Sequence, residues 1–118
     1  DLNNGRAYVT YMKKVAANLK KYNCKMYYLS VNPVNSAMIK SVGGKARSEA
    51  QIASFNRTIY KNLCSGKNKS FTYINSCTNL QMKGWISNRH DMGIYDGLHY
   101  SNATYLRIFD YCMRYLNR

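Results

Sequence analysis

Both histidines of the chain and two of its five acidic residues fall within ten positions of one another, as His90, Asp91, Asp96 and His99. Histidine titrates near neutral pH, and a carboxylate beside it fixes the tautomer and orientation of the ring. In Asp96-Gly97-Leu98-His99 the three-residue offset lets the carboxylate fold back and accept the Nδ1 proton, and the glycine permits the tight turn between them. Nε2 then faces outward as a general base. An esterase needs this arrangement, because a serine hydroxyl is a weak nucleophile until an oriented histidine takes its proton. The same spacing also describes a carboxylate at a helix N-terminus followed by a surface histidine. A metal cluster of His90, Asp91, Asp96 and His99 has no cysteine or glutamate support, so no metal and no cofactor is assigned. The four cysteines, Cys24, Cys64, Cys77 and Cys112, include no C-x-x-C pair and no histidine at zinc-ligand spacing. Their even number suits two disulfides in an oxidising compartment, with three pairings open, and equally suits buried free thiols.

These residues need a scaffold, and the 118 residues, one domain's worth or less, read as alternating helices and strands. Tyr8, Met12, Val15, Leu19 and Tyr22 recur at steps of 4, 3, 4 and 3, predicting an amphipathic helix that ends near Asn23. Met26-Tyr27-Tyr28-Leu29-Ser30-Val31 is almost continuously apolar and stops at Asn32-Pro33, which predicts a strand buried on both faces. Loop signals fill Val34 to Lys45, with a possible helical turn at Ala37 to Ile39. A second long helix is expected from about Ala46 to Leu63, carrying Ile52, Phe55, Ile59 and Leu63, and a polar turn stops it. Phe71-Thr72-Tyr73-Ile74-Asn75 is a second, shorter strand. After a less regular stretch containing Trp85, Ser101 or Asn102 caps a last helix with Leu106, Phe109, Met113 and Leu116 on one face. The order helix, strand, helix, strand, helix is the α/β pattern, with a parallel pair joined by a long crossover. Two strands are too few for a sheet that must be covered on both faces, so residues 1–118 read as half of one domain. The other half is expected from another chain, from self-association or from a longer precursor.

Several of these residues occur in a familiar context. Asp96-Gly97-Leu98-His99-Tyr100-Ser101 before a terminal amphipathic helix resembles the D-x-x-H block that closes SGNH (GDSL-type) hydrolases. Tyr27 to Val34, ending in Pro33-Val34, resembles the penultimate core strand of that family, and the helix with Phe55-Asn56 before a short strand follows the same order. Asp1-Leu2-Asn3 resembles the end of the family's G-x-N-D block. The resemblance implies a three-layer, flavodoxin-like α/β fold with a parallel sheet, of which this chain supplies the C-terminal half. It further implies that Asp96 orients His99 and that His99 activates a serine. The G-D-S nucleophile block and the oxyanion-hole blocks would precede position 1, so the nucleophile is unknown and the isolated chain is expected to be inactive. The expected partners are that missing segment or chain and an O-acyl ester, with acetylated carbohydrate or cell-wall polymer as the substrate class.

Trp85 and Tyr95, just upstream of the pair, are candidates for a wall stacking on a sugar or acyl group, the plainer reading being core or partly buried aromatics. Asn32, at the end of the first strand, joins them as a substrate-binding candidate. The loop from Asn35 to Lys45 follows the carboxyl end of a strand, the edge at which open α/β sheets bind ligands. The longest apolar stretches are too short to cross a bilayer, so no membrane span is expected, and the expected location is secreted or cell-surface. With 18 Lys and Arg against 5 acidic residues the net charge is +13. The rival reading is therefore a non-enzymatic basic α/β module that binds nucleic acid or another polyanion. It requires the charge to gather on one face, whereas no basic run exceeds two residues, which makes nucleic acid the lesser expectation.

Overall fold

The computed structural model describes residues 4–45, 47–83 and 95–118. In chain order they form α1 (Gly5–Lys20), β1 (Tyr27–Leu29), α2 (Ser36–Ser41), α3 (Glu49–Ile59), β2 (Thr72–Ile74), α4 (Ser76–Met82) and α5 (Asn102–Leu116). A π-helical segment, Tyr60–Cys64, prolongs α3. Local chemistry accounts for several boundaries. Asn23, at φ 54, turns the chain out of α1 toward β1. Asn35 caps α2 by accepting from the Met38 N–H at 3.0 Å. Ser48 and Gln51 form a reciprocal capping box at the start of α3, and Ser101 caps α5 through the Thr104 N–H.

β1 and β2 pair in parallel, Tyr27 opposite Thr72, Tyr28 opposite Tyr73 and Leu29 opposite Ile74. The expected parallel pair is thus present, each strand shorter than its apolar run, and the coarse α/β class with it. One core cluster gathers Val9 and Ala16 of α1, Tyr28 of β1, Phe55 and Ile59 of α3, and Leu63, Cys64 and Phe71 beyond it. A second joins Val34, Ile39, Ile52 and Cys77, with Leu98 packed against it. The stripe expected on the second helix is therefore the hinge of the core, with Ile52, Phe55, Ile59 and Leu63 all buried.

Two polar clamps hold the carboxyl ends of the strands. The buried Asn56 side chain of α3 accepts from the Val31 N–H and donates to the Val31 carbonyl, both at 2.9 Å, so α3 supplies the partner that a third strand would otherwise give. Beyond the strand ends, Ser30 and Ser76 are buried with their hydroxyls 3.3 Å apart, and the Ser30 hydroxyl accepts from the Cys77 N–H at 2.9 Å. The Ser76 hydroxyl in turn donates to Asn32 Oδ1. Buried polar groups in such a network cost free energy unless every member is paired.

The structure departs from the sequence expectations in four places. Leu29 is 41% exposed, so β1 is not covered on both faces by the described residues. The stripe of α5 faces outward, with Leu106 64% and Phe109 59% exposed, and within that helix only Thr104 is buried. α4 was not expected, because seven residues capped by Asn75 are too short to display a helical period. The four cysteines are free thiols, one of the two readings that their number left open, with only Cys64 and Cys77 buried. Of the expected α1 stripe, Leu19 and Tyr22 are exposed, since the core face turns toward Val9 and Ala16.

The contrast between α3 and α5 is measurable by urea unfolding. Ile59→Ala, at a position with no exposure, is expected to lower the unfolding free energy by about 2–5 kcal/mol. Leu106→Ala in the same chain is expected to change it by less than about 0.5 kcal/mol. Similar losses at the two sites would contradict an uncovered α5.

Candidate active site

Asp96 is a short, multiply bonded acceptor. Its Oδ1 accepts from the Leu98 N–H at 2.8 Å and from the His99 N–H at 2.9 Å, while Oδ2 is hydrogen-bonded to His99 Nδ1. The carboxylate therefore folds back over its own turn and meets the imidazole through the nitrogen that the spacing predicts. The backbone N–H of His99, its imidazole and the Leu98 N–H hold the Asp96 carboxyl well below the usual carboxylate range. The two side chains differ in access, with 24% of Asp96 and 57% of His99 exposed. The acid is tucked in and the ring faces outward, as an orienting group and a base require.

The block is seated on the carboxyl side of β1 by contacts that reach across the chain. Asn35 donates its backbone N–H to the Gly97 carbonyl at 2.9 Å. Gly97 adopts φ +77, and a Cβ there would lie 2.5 Å from the Asn35 carbonyl oxygen and 2.9 Å from the Ile39 nitrogen. Only glycine satisfies both the left-handed turn and the close approach to the first turn of α2. One residue past His99, the buried Tyr100 donates its hydroxyl to the Pro33 carbonyl, and its ring packs edge-on against Tyr105 at 5.5 Å. Burial pushes the Tyr100 phenol well above its ordinary value, so it stays protonated and keeps donating. Leu98 meanwhile packs into the second core cluster. The turn is thus pinned at Gly97, Leu98 and Tyr100, while His99 alone points out of it.

Asn32 lies in the same region, but its Oδ1 is engaged by the buried Ser76 hydroxyl, so this atom ties the strand ends together. Tyr95, one residue before Asp96, is 48% exposed. Trp85, His90 and Asp91 lie outside the described residues. Among the described residues no three His, Cys, Asp or Glu side chains form a group that could hold a metal ion. No buried hydroxyl or thiol there is suited to attack either. Ser30 and Ser76 are sealed in the strand-end network. Burial pushes Cys64 up to about 11 and raises Cys77 and Cys112, which keeps these thiols protonated at neutral pH.

Sequence reasoning missed the positioning residues Asn35, Asn56 and Tyr100. Asn35 carried only a generic loop signal, Asn56 sits among the apolar residues of a helix, and Tyr100 is one of twelve tyrosines. No protein-family model, curated protein or solved structure matches the chain. No helix among the described residues is long and apolar enough to cross a membrane.

Two outcomes follow from this geometry. Gly97→Ala forces a side chain into the Asn35 and Ile39 backbone and should cost at least about 1–3 kcal/mol by urea unfolding, whereas a loss within error would mean that the block is not seated there. For pH, the folded carboxyl of Asp96 titrates lower than the unfolded one. Its stabilising contribution is therefore complete above about pH 4 and is lost as acid protonates it below that. The ¹³C shift of the Asp96 carboxyl should accordingly have its midpoint below the ordinary aspartate value of about 3.9, and a midpoint at or above that value would contradict the three donors.

Proposed function

We propose that this chain is the C-terminal half of an SGNH-type serine esterase with a three-layer α/β fold, cleaving O-acyl esters such as those of acetylated carbohydrate or cell-wall polymer. The observation that carries the reading is the hydrogen bond between Asp96 and His99 Nδ1, on a turn pinned at Gly97 and Tyr100 with the imidazole outward. The resemblance of the Asp96 to Ser101 block to the D-x-x-H block supports it. The open face of β1 and the exposed stripe of α5 support a completing segment that brings further strands and the nucleophilic serine.

In this mechanism the serine hydroxyl attacks the ester carbonyl and passes its proton to His99. Asp96 remains ionised and stabilises the imidazolium that forms. The tetrahedral intermediate collapses, the C–O bond to the leaving alcohol breaks, and His99 returns the proton to that oxygen. Water then repeats the sequence on the acyl-enzyme and releases the acid. Oxyanion-hole donors come from the completing segment. Since one such donor is worth about 3–4 kcal/mol, the 118 residues alone hydrolyse esters poorly or not at all.

The test is kcat/KM for p-nitrophenyl acetate in the completed enzyme. His99→Ala should lower it by about 10³-fold or more, and His90→Ala should leave it within about tenfold, or 1.4 kcal/mol. Asp96→Asn should fall between the two. Unchanged activity in His99→Ala would overturn the reading, and equal large losses at His90 and His99 would point to a shared metal instead. A Gly-x-Asn ending immediately before Asp1, with Gly-Asp-Ser further upstream, is the matching sequence observation.

A further inference from the structure

The amino-terminal edge of the sheet carries a separate feature. A groove of about 780 Å³ runs between the second half of α1, the connection into β1 and the loop that enters β2. Lys13, Lys20, Lys25, Lys67 and Lys69 line it, and all of them are exposed. Among the described residues no Asp or Glu lines the groove. Glu49 heads α3, Asp110 lies in α5 and Asp96 belongs to the site at the other edge. Ammonium groups gathered without a counter-charge repel one another, and a multivalent anion relieves that repulsion while releasing condensed ions. Lys13 and Lys20 lie two turns apart on α1, roughly 10 Å along its axis, with Lys67 and Lys69 supplied by a different segment. Charges spaced in this way along a trough suit a linear chain better than a compact anion.

The lining also selects the kind of chain. Among the described residues the lining contains no arginine, so no planar fork that grips phosphate with two parallel bonds is found there. Of the two aromatic residues in the described lining, Phe71 is buried and Tyr27 partly buried, so neither offers an open platform for stacking bases. Between the lysines stand Asn68, Ser70 and Thr72, donors and acceptors matched to hydroxyl groups. We propose that this groove binds a linear acidic polysaccharide, its uronate carboxylates on the lysines and its sugar hydroxyls on Asn68 and Ser70. The groove lies at the edge opposite His99 and does not depend on ester hydrolysis.

The test is fluorescence anisotropy at low salt with a labelled oligogalacturonate and the 118-residue chain. The triple variant Lys20→Gln, Lys25→Gln and Lys69→Gln is compared with Lys14→Gln, Lys40→Gln and Lys61→Gln, which removes the same charge outside the groove. The groove variant should weaken binding at least about tenfold and the control less than about threefold, with both circular dichroism spectra unchanged. If the groove triple variant loses its fold, the single variants Lys25→Gln and Lys69→Gln are each expected to weaken binding more than Lys14→Gln does. Equal weakening in groove and control variants, no saturable binding by the parent chain, or tighter binding of a thymidine oligonucleotide of equal charge would each overturn the proposal.

Discussion

The backbone hydrogen bond from Asn35 to the Gly97 carbonyl is the constraint on which the candidate site depends. It joins two segments far apart in sequence, the turn leaving β1 and the turn entering α5. The bond requires backbone to approach backbone without an intervening side chain, which makes Gly97 a structural necessity. Once that contact forms, the rest of the turn has few choices. Leu98 goes into the core, the Tyr100 hydroxyl reaches Pro33, and the Asp96 carboxylate collects the N–H groups that the turn exposes. His99 is left on the outside with Nδ1 already engaged. A similar economy governs β1, whose carboxyl end is held by Asn56 and by the Ser30, Ser76 and Asn32 network.

Packing divides the molecule unevenly. The α3 side is finished, with Ile59 and Leu63 wholly enclosed and the aromatic rings in contact in the order Phe55, Tyr8, Tyr28, Phe71. The α5 side is not, since its apolar stripe and Leu29 of β1 are open to solvent. Among the described residues the parallel sheet has two strands and leaves Leu29 exposed, fewer strands and less cover than such sheets commonly have. This asymmetry supports the completing segment proposed above.

What the sequence disclosed followed the strength of each local signal. The α3 stripe and the parallel pair were legible, because periodicity and apolar runs report burial directly. Asp96 and His99 were legible as a pair because their offset is short and the glycine between them has a conformational meaning. Burial around α5 was misjudged for a related reason. An apolar period states that a face wants cover, and Leu106 and Phe109 have that period while exposed among the described residues. α4 and the roles of Asn35, Asn56 and Tyr100 escaped because each rests on a tertiary contact with a distant segment, which no local pattern encodes. The lysine groove was hidden similarly, since its charges come from α1 and from the loop before β2, and no run of lysines announces it.

The most direct test of the oriented-base account is the ring tautomer of His99, read from long-range ¹H–¹⁵N correlation spectra at a pH where the imidazole is neutral. Donation to Asp96 predicts a proton on Nδ1 and none on Nε2. A ring protonated at Nε2 would leave Asp96 without the imidazole proton and would contradict the account.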